Sequence, residues 1–378
     1  MARPTVARAL ILLQLGLGSA AFGQAPARPL PSDSLDAAYR KFDAVETFVR
    51  KRYAASYAIT TPNGIDEASF VRIGGIEQWV TIRGEDRNDP VLLFLHGGPG
   101  EATNPWSFTL FAPWQKHFTI VQWDQRGAGR TFGRNGAAIA PTVTVERLAQ
   151  DGIELAEYLR DHLGKKKIII VAHSFGTIIG VRMAQGRPDL FYAYVGTGQA
   201  TDETGSRNYA SNFDALRTKA RQMHNAQALT ELDRVGPPPY KTGEGYQMQR
   251  KWSNAFEGAD MFLGATIGLA LVAPGYSVRD VNDWFDGQIS SGDQLVPEMM
   301  NHGRKQMGTE FAVPIFFFQG AEDFTSSTAL AREYFDKIKA PHKEFVAIKD
   351  GGHFAVFMRS AEFLNELVER VRPLAMER

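Results

Sequence analysis

One stretch, Lys167 to Arg182, constrains this chain more than any other. Four consecutive apolar residues, Ile168, Ile169, Ile170 and Val171, read as a strand buried on both faces. Directly after it, Phe175, Ile178, Ile179 and Met183 recur at helical spacing. Only Ala172, His173 and Ser174 separate the two patterns, so the strand must turn sharply into the helix at Ser174. A serine on such a turn projects its hydroxyl from the carboxyl end of a sheet, and the small residues Ala172 and Gly176 let strand and helix pack closely around it. The form is that of a nucleophile elbow. Taken alone, AHSFG is also compatible with an ordinary turn, and the rest of the chain has to supply the context.

That context is a series of strands with chemistry at their ends. Phe70 to Ile73, Gly74-Gly75 and Ile76 to Arg83 predict a β-hairpin with a two-residue glycine turn. The apolar run from Val91 breaks into His96, Gly97, Gly98, Pro99 and Gly100, and the strand from Phe118 to Trp123 ends in DQRGAGRT, Asp124 to Thr131. A helix over Val145 to Leu163 precedes the elbow, and a strand at Tyr192 to Val195 follows it. Alternating apolar strands and helices predict βαβ units and a mainly parallel sheet, whose ligands bind at the carboxyl ends of the strands. The alternation lapses from about Gln199 to Thr309 and resumes at Val313. There a strand ends in Glu322 and Asp323, a helix spans Ser326 to Lys339, and a strand from Phe345 to Ile348 leads to Gly351-Gly352-His353. The expected terminal helix runs from Ala355 to Val371, with Phe357, Phe363, Leu364 and Leu367 inward. Ser174, Asp323, His353 is the chain order expected of a serine triad on such a sheet.

Composition narrows the partners. The 378 residues are 44% hydrophobic and 22% charged with a formal net charge of +0, so no charge bias points to nucleic acid or an acidic membrane. Arg3 and Arg8 precede an apolar run, Ala9 to Leu17, which is too short to span a bilayer, and Ala21 with Gly23 fits a small-x-small cleavage site. A secretory signal peptide over 1–23 is therefore expected, with a periplasmic or secreted product and no stable membrane insertion after cleavage; an uncleaved anchor is the rival. With no cysteine in the chain, disulfides and thiolate chemistry are excluded. Residues 24–69 are expected to hold a proline-rich linker and an amphipathic helix carrying Leu35, Tyr39, Phe42, Val45, Phe48 and Val49.

HGGPG, DQRGAGRT, AHSFG, GAED and GGH, in this order and each at a strand end, make the chain resemble the α/β-hydrolase fold and, most closely, its proline iminopeptidase family. The resemblance covers roughly 70–198 and 310–378. It implies a core in two parts, 70–198 and 310–378, with residues 199–309 forming a mainly helical lid over Ser174. It implies Ser174 as nucleophile, His353 as base and then acid, and Asp323 as the carboxylate orienting the imidazole, with Glu322 as the alternative acid. Asp350 is expected to support the loop and His96 to brace the glycine loop. The oxyanion donors are expected to be the N–H groups of Phe175 and Gly98, with Gly97 as fallback. No cofactor and no metal are implied.

The expected reaction is release of N-terminal residues, proline among them, from short peptides. The family holds the substrate amine with acidic lid residues, for which Asp202, Glu203, Asp214, Glu231, Glu244, Glu257 and Asp260 are available; Glu101 stands just after the glycine loop. The chain departs from the family at Glu101 and at Ala172, which leaves a carboxylesterase or amidase for a medium-sized apolar ester or amide as the alternative. The small-molecule or short-peptide substrate is otherwise undetermined, as is the oligomeric state.

Overall fold

A run of apolar residues buried on both faces needs helices on both sides of its sheet, and that is how the chain folds. The computed structural model describes residues 45–201, 206–240, 243–301 and 307–376; the expected leader and the proline-rich linker lie outside them. In chain order the strands are β1 (Ile65–Ile73), β2 (Ile76–Gly84), β3 (Val91–Leu95), β4 (Thr119–Trp123), β5 (Ile168–His173), β6 (Phe191–Thr197), β7 (Ile315–Gly320) and β8 (Lys343–Ile348). They form one sheet in the order β1-β2-β4-β3-β5-β6-β7-β8. β1 and β2 are antiparallel to each other and β2 to β4; every other pairing is parallel. This is the expected mostly parallel sheet of an α/β-hydrolase fold.

The period of two along β5 sorts its residues to two cores. Ile168, Ile170 and Ala172 join Leu93 and Leu95 under α1 (Val145–Leu163) and α2 (Phe175–Gly186). Ile169 and Val171 join Leu92 and Phe94 on the other face, against Phe111, Trp114 and Phe363. Helix α1 has the predicted bounds because Thr144 caps its start, accepting from Arg147 N, and Gly164 ends it in a left-handed conformation.

Three boundaries differ from expectation. β1 begins at Ile65 rather than 70, since Ile65, Val71 and Ile73 face the core while Asp66 pairs across to Arg83. The terminal helix is broken at Arg359 into Ala355–Met358 and Ser360–Glu366, followed by a wider turn over Leu367–Val371. Phe357, Phe363, Leu364 and Leu367 are nevertheless all buried, as predicted. In the helix over 45–56, Val45 and Phe48 are 60% and 65% exposed, whereas Glu46 is buried, paired with Arg50. The expected apolar face is thus turned outward at its described end, and Tyr53 packs edge-on to Phe108 instead.

Between β6 and β7 the described chain is helical: α3 (Ser206–Gln222), α4 (Ala226–Val235), α5 (Gly243–Glu257), α6 (Ala259–Leu271) and α7 (Val278–Asn301). Phe213, Leu216, Leu232 and Trp252 give this insertion its own small core. The DQRGAGRT loop fastens α7 to the sheet. Ser291 donates to Gly127 O at 2.8 Å, and Arg130 pairs with Asp280 at 2.9 Å while its guanidinium stacks over Trp79 and Tyr276. After α7, Ser327 caps α8 (Thr328–Lys337), the helix between β7 and β8.

Candidate active site

Ser174 joins β5 to α2 with φ +52° and ψ −123°, a conformation in which few non-glycine residues rest. Three neighbouring glycines make the turn sterically feasible. A Cβ on Gly176 would overlap Leu95 O and His96 O; one on Gly97 would lie 2.9 Å from Ser174 Cβ; and one on Gly198 would lie 2.9 Å from the His353 ring. The backbone is therefore closed around the serine from three strand ends, those of β3, β5 and β6.

The sequence-predicted residues meet there. His353 Nε2 is 2.9 Å from Ser174 Oγ, and His353 Nδ1 is 3.2 and 3.1 Å from the two oxygens of Asp323. Asp323 also accepts from the N–H groups of Thr325 and Ser326, at 2.9 and 2.7 Å, and from Gln319 Nε2 at 2.8 Å, so its orientation is fixed by the strand-end loop. Glu322 points elsewhere: it forms an ion pair with Lys219 of α3 at 2.6 Å, and its side chain is 40% exposed. Asp350 is exposed at φ +51° in the turn before the histidine loop, where its carbonyl accepts from Arg359, as befits a loop support.

Charge is distributed so that His353 gains a proton more readily than a free imidazole. Burial alone would lower its affinity, but the charge and hydrogen bond of Asp323, with Glu257 and Glu101 nearby, raise its pKa above the ordinary 6.5. The two other histidines of the site go the opposite way. Burial lowers His96 to about 4 and His173 to about 3, so both are neutral braces at physiological pH. His96 hydrogen-bonds Gly97 O at 3.0 Å, and Gln125 Nε2 donates to His96 O at 3.2 Å. His173 Nε2 lies 3.0 Å from His353 O, tying the elbow to the histidine loop.

Phe175 N–H is the first amide of α2, a position whose donor has no partner within a helix. Among the described residues, neither it nor the amide of Gly98 is used in the turn and loop hydrogen bonds around the elbow. The two amides flank the serine from β5 and β3.

Two contributors have roles with no local signal in the sequence, and one of them, Glu257, is an acid expected to be available for the substrate amine. Glu257, the last residue of α5, accepts from His353 N at 2.6 Å and from Phe324 N at 2.8 Å, so one carboxylate clamps the loops bearing His353 and Asp323 together. Burial, then the charge of Asp323, pushes the Glu257 carboxyl up. Gly198 makes room for the imidazole. Neither is recognisable without knowing which strand ends are neighbours.

The hydroxyl faces a cavity of about 530 Å³. Ile178, Leu263, Met299, Phe324 and Phe354 give it apolar walls; Tyr209, Asn208, Gln249 and Arg250 of the insertion, with Glu101 below, give it polar ones. Of the insertion's aromatic residues, Tyr209 and Tyr246 line the cavity, Phe213 and Trp252 belong to the core of the insertion, and Trp284 packs on the sheet side. Among the described acids, Glu231 and Glu244 are paired with Lys251 and Arg234 and do not line the cavity. Asp202 and Glu203 lie outside the described residues. Among the described residues no three His, Asp or Glu side chains are grouped as a metal would require. Chemically, the constellation offers a buried carboxylate, an imidazole with raised basicity, a hydroxyl hydrogen-bonded to it and two free amides.

Comparison with known proteins agrees with the fold. A family described as the alpha/beta hydrolase fold matches residues 90–359. A probable aminopeptidase of Bacillus subtilis is 27% identical over 305 residues, 79% of this chain and 94% of that protein. A probable proline iminopeptidase of Streptomyces coelicolor is 37% identical over 123 residues, 32% of this chain and 36% of its own. Among solved structures, a proline iminopeptidase-related protein from Thermus thermophilus aligns over 82% of this chain and 99% of its own, with a TM-score of 0.52 and 18% identity. A serine hydrolase involved in carbazole degradation aligns over 80% of this chain and 98% of its own with the same TM-score, 0.52, and 18% identity, a likeness of fold.

Proposed function

The chain belongs to the α/β-hydrolase fold family and is a hydrolase related to the proline iminopeptidases; from that premise we propose that it is a serine aminopeptidase releasing N-terminal residues, proline among them, from short peptides. The observation that carries the reading is the continuous hydrogen-bonded line from Asp323 through His353 to Ser174 at the floor of the cavity. Ser174 Oγ attacks the acyl carbon as His353 Nε2 takes its proton, and the N–H groups of Phe175 and Gly98 hold the oxyanion. The C–N bond then breaks, and His353 returns the proton to the leaving amine. Water, activated by the same imidazole, releases the acyl group from Ser174. Asp323 keeps Nδ1 protonated and stabilises the imidazolium, without itself taking the proton.

The cavity's apolar wall, Ile178, Leu263 and Phe354 among it, favours a second reading, a carboxylesterase for a medium-sized apolar ester. A rate assay on prolyl p-nitroanilide, its N-acylated counterpart and p-nitrophenyl esters separates the two. Preference for the free-amine anilide is the expected outcome; ester turnover with no amide cleavage would leave the esterase. Export after cleavage near Gly23 belongs to the same proposal, on the strength of the Arg3, Arg8 and Ala9 to Leu17 pattern. Sequencing the amino terminus of the protein recovered from its native host tests it, and a retained leader would refute it.

A further inference from the structure

Two side chains of opposite charge, Glu101 and Arg250, line the cavity. Glu101 follows the glycine loop, with its backbone N–H donating to Gly97 O at 3.2 Å, and its side chain is half-buried beside Gly98. It accepts no hydrogen bond among the described residues, and the charges that act on it are those of His353 and Arg250. Burial pushes this carboxyl up to about 7, the sign of an anion held without enough compensating charge.

Arg250, exposed to solvent, lines the same cavity from α5. Other cations of the insertion are paired, Lys251 with Glu231, Arg234 with Glu244, Arg217 with Asp233 and Lys219 with Glu322. Arg250 makes neither a hydrogen bond nor an ion pair among the described residues, and it stands too far from Glu101 for a direct one. A guanidinium that lines a pocket with no protein partner is suited to a carboxylate, which it binds through two parallel hydrogen bonds.

We propose that the cavity reads both ends of a dipeptide, Glu101 taking the free ammonium and Arg250 the free carboxylate, so that the preferred substrate is a zwitterion of two residues rather than a longer peptide. This rests on the aminopeptidase reading and narrows it. Glu101 lies beside the proposed oxyanion donor Gly98, on the side where the acyl residue carries its α-amine one carbon from the scissile carbonyl. Arg250 is then left for the carboxylate of the departing residue. An apolar ester would leave both groups without a partner, and a long peptide would leave Arg250 so; the dipeptide pairs with each. Apolar Leu263, Phe324 and Phe354 remain for the side chains.

The test measures kcat/KM for prolyl-alanine, prolyl-alanine amide and a prolyl tetrapeptide with wild type, Arg250→Gln, Arg250→Lys and Glu101→Gln. The wild type should favour the dipeptide over its amide by roughly 10- to 100-fold, the scale of one charge-assisted bidentate contact. Arg250→Gln should collapse that ratio toward one through KM for the dipeptide, with Arg250→Lys restoring part of it. Glu101→Gln should lower turnover of all three peptides relative to an N-acylated anilide. Equal rates on dipeptide and amide in the wild type, or an unchanged ratio in Arg250→Gln, overturn the proposal while leaving an aminopeptidase. Ester turnover with none of the peptides cleaved overturns the aminopeptidase reading itself and this one with it.

Discussion

At the scale of the residue, the distinction between neighbours decides the chemistry. Glu322 and Asp323 are adjacent in sequence, yet one is spent on Lys219 and the other faces His353. Asp323→Asn should therefore lower kcat by about four orders of magnitude, as loss of the tautomer-fixing acid does in triads. Glu322→Gln should leave kcat within a few-fold and cost at most about 1 kcal/mol, the worth of a half-exposed ion pair; the two variants assayed side by side decide which carboxylate serves. Ser174→Ala should reduce turnover by about a millionfold with an unchanged fold by circular dichroism. A tenth of the wild-type rate remaining would exclude Ser174 as nucleophile. The raised pKa of His353 fixes the sign of the pH profile. Only the neutral imidazole can accept the serine proton, and it is lost as pH falls through a pKa above 6.5, so the acid limb of kcat/KM in the free enzyme should lie above that value. Glu101 sets an opposite trend in stability: with a folded value of about 7 against 4.5 unfolded, its contribution is present below pH 4.5 and lost as pH rises through 7. Glu101→Gln should flatten that decline in a series of denaturation curves.

At the scale of the element, the elbow shows why glycine is needed where the sequence has it. A Cβ on Gly176 would meet two backbone carbonyls of the strand end of β3, atoms that cannot swing aside as a side chain would. Gly176→Ala should thus cost roughly 1–3 kcal/mol as overpacking, read as a lowered denaturation midpoint, and distort the serine turn as well. The DQRGAGRT loop is an anchor of a different kind. Arg126 is buried against Asp151 at 2.7 Å and donates to Gly74 O at 2.8 Å; Asp151 also accepts from Gln78 and Arg147. Removing one partner leaves the others' charge buried, so Arg126→Met should destabilise by about 3–5 kcal/mol. A midpoint shift worth under about 1 kcal/mol, the range of an ordinary exposed pair, would show that this one is dispensable. The loop is legible as a strand end rich in charge and glycine, but its service to the hairpin and to α7 depends on contacts far apart in the chain.

At the scale of the whole molecule, the insertion is held from outside as well as from below. Arg50, in the helix over 45–56, donates to Leu271 O of α6 at 3.1 and 2.7 Å, while Tyr53 and Tyr57 of the same segment pack on Phe108 of the core. That segment straps the two together across the seam. Arg50→Ala should make the insertion more accessible to limited proteolysis, and cleavage kinetics indistinguishable from wild type would count against a strap. The strands, the serine turn and the order Ser174, Asp323, His353 were legible in the sequence by itself, because burial on both faces writes continuous apolar runs and sharp turns demand small residues at fixed spacing. The sequence also named the two amides and left two acids open. Tertiary structure decided between those acids, brought Glu257 under His353 and Gly198 beside its ring, and set Glu101 and Arg250 in one cavity. These depend on which strand ends adjoin and how the described helices of the insertion lie over them, and contacts between segments far apart in the chain leave no periodicity in the sequence that makes them.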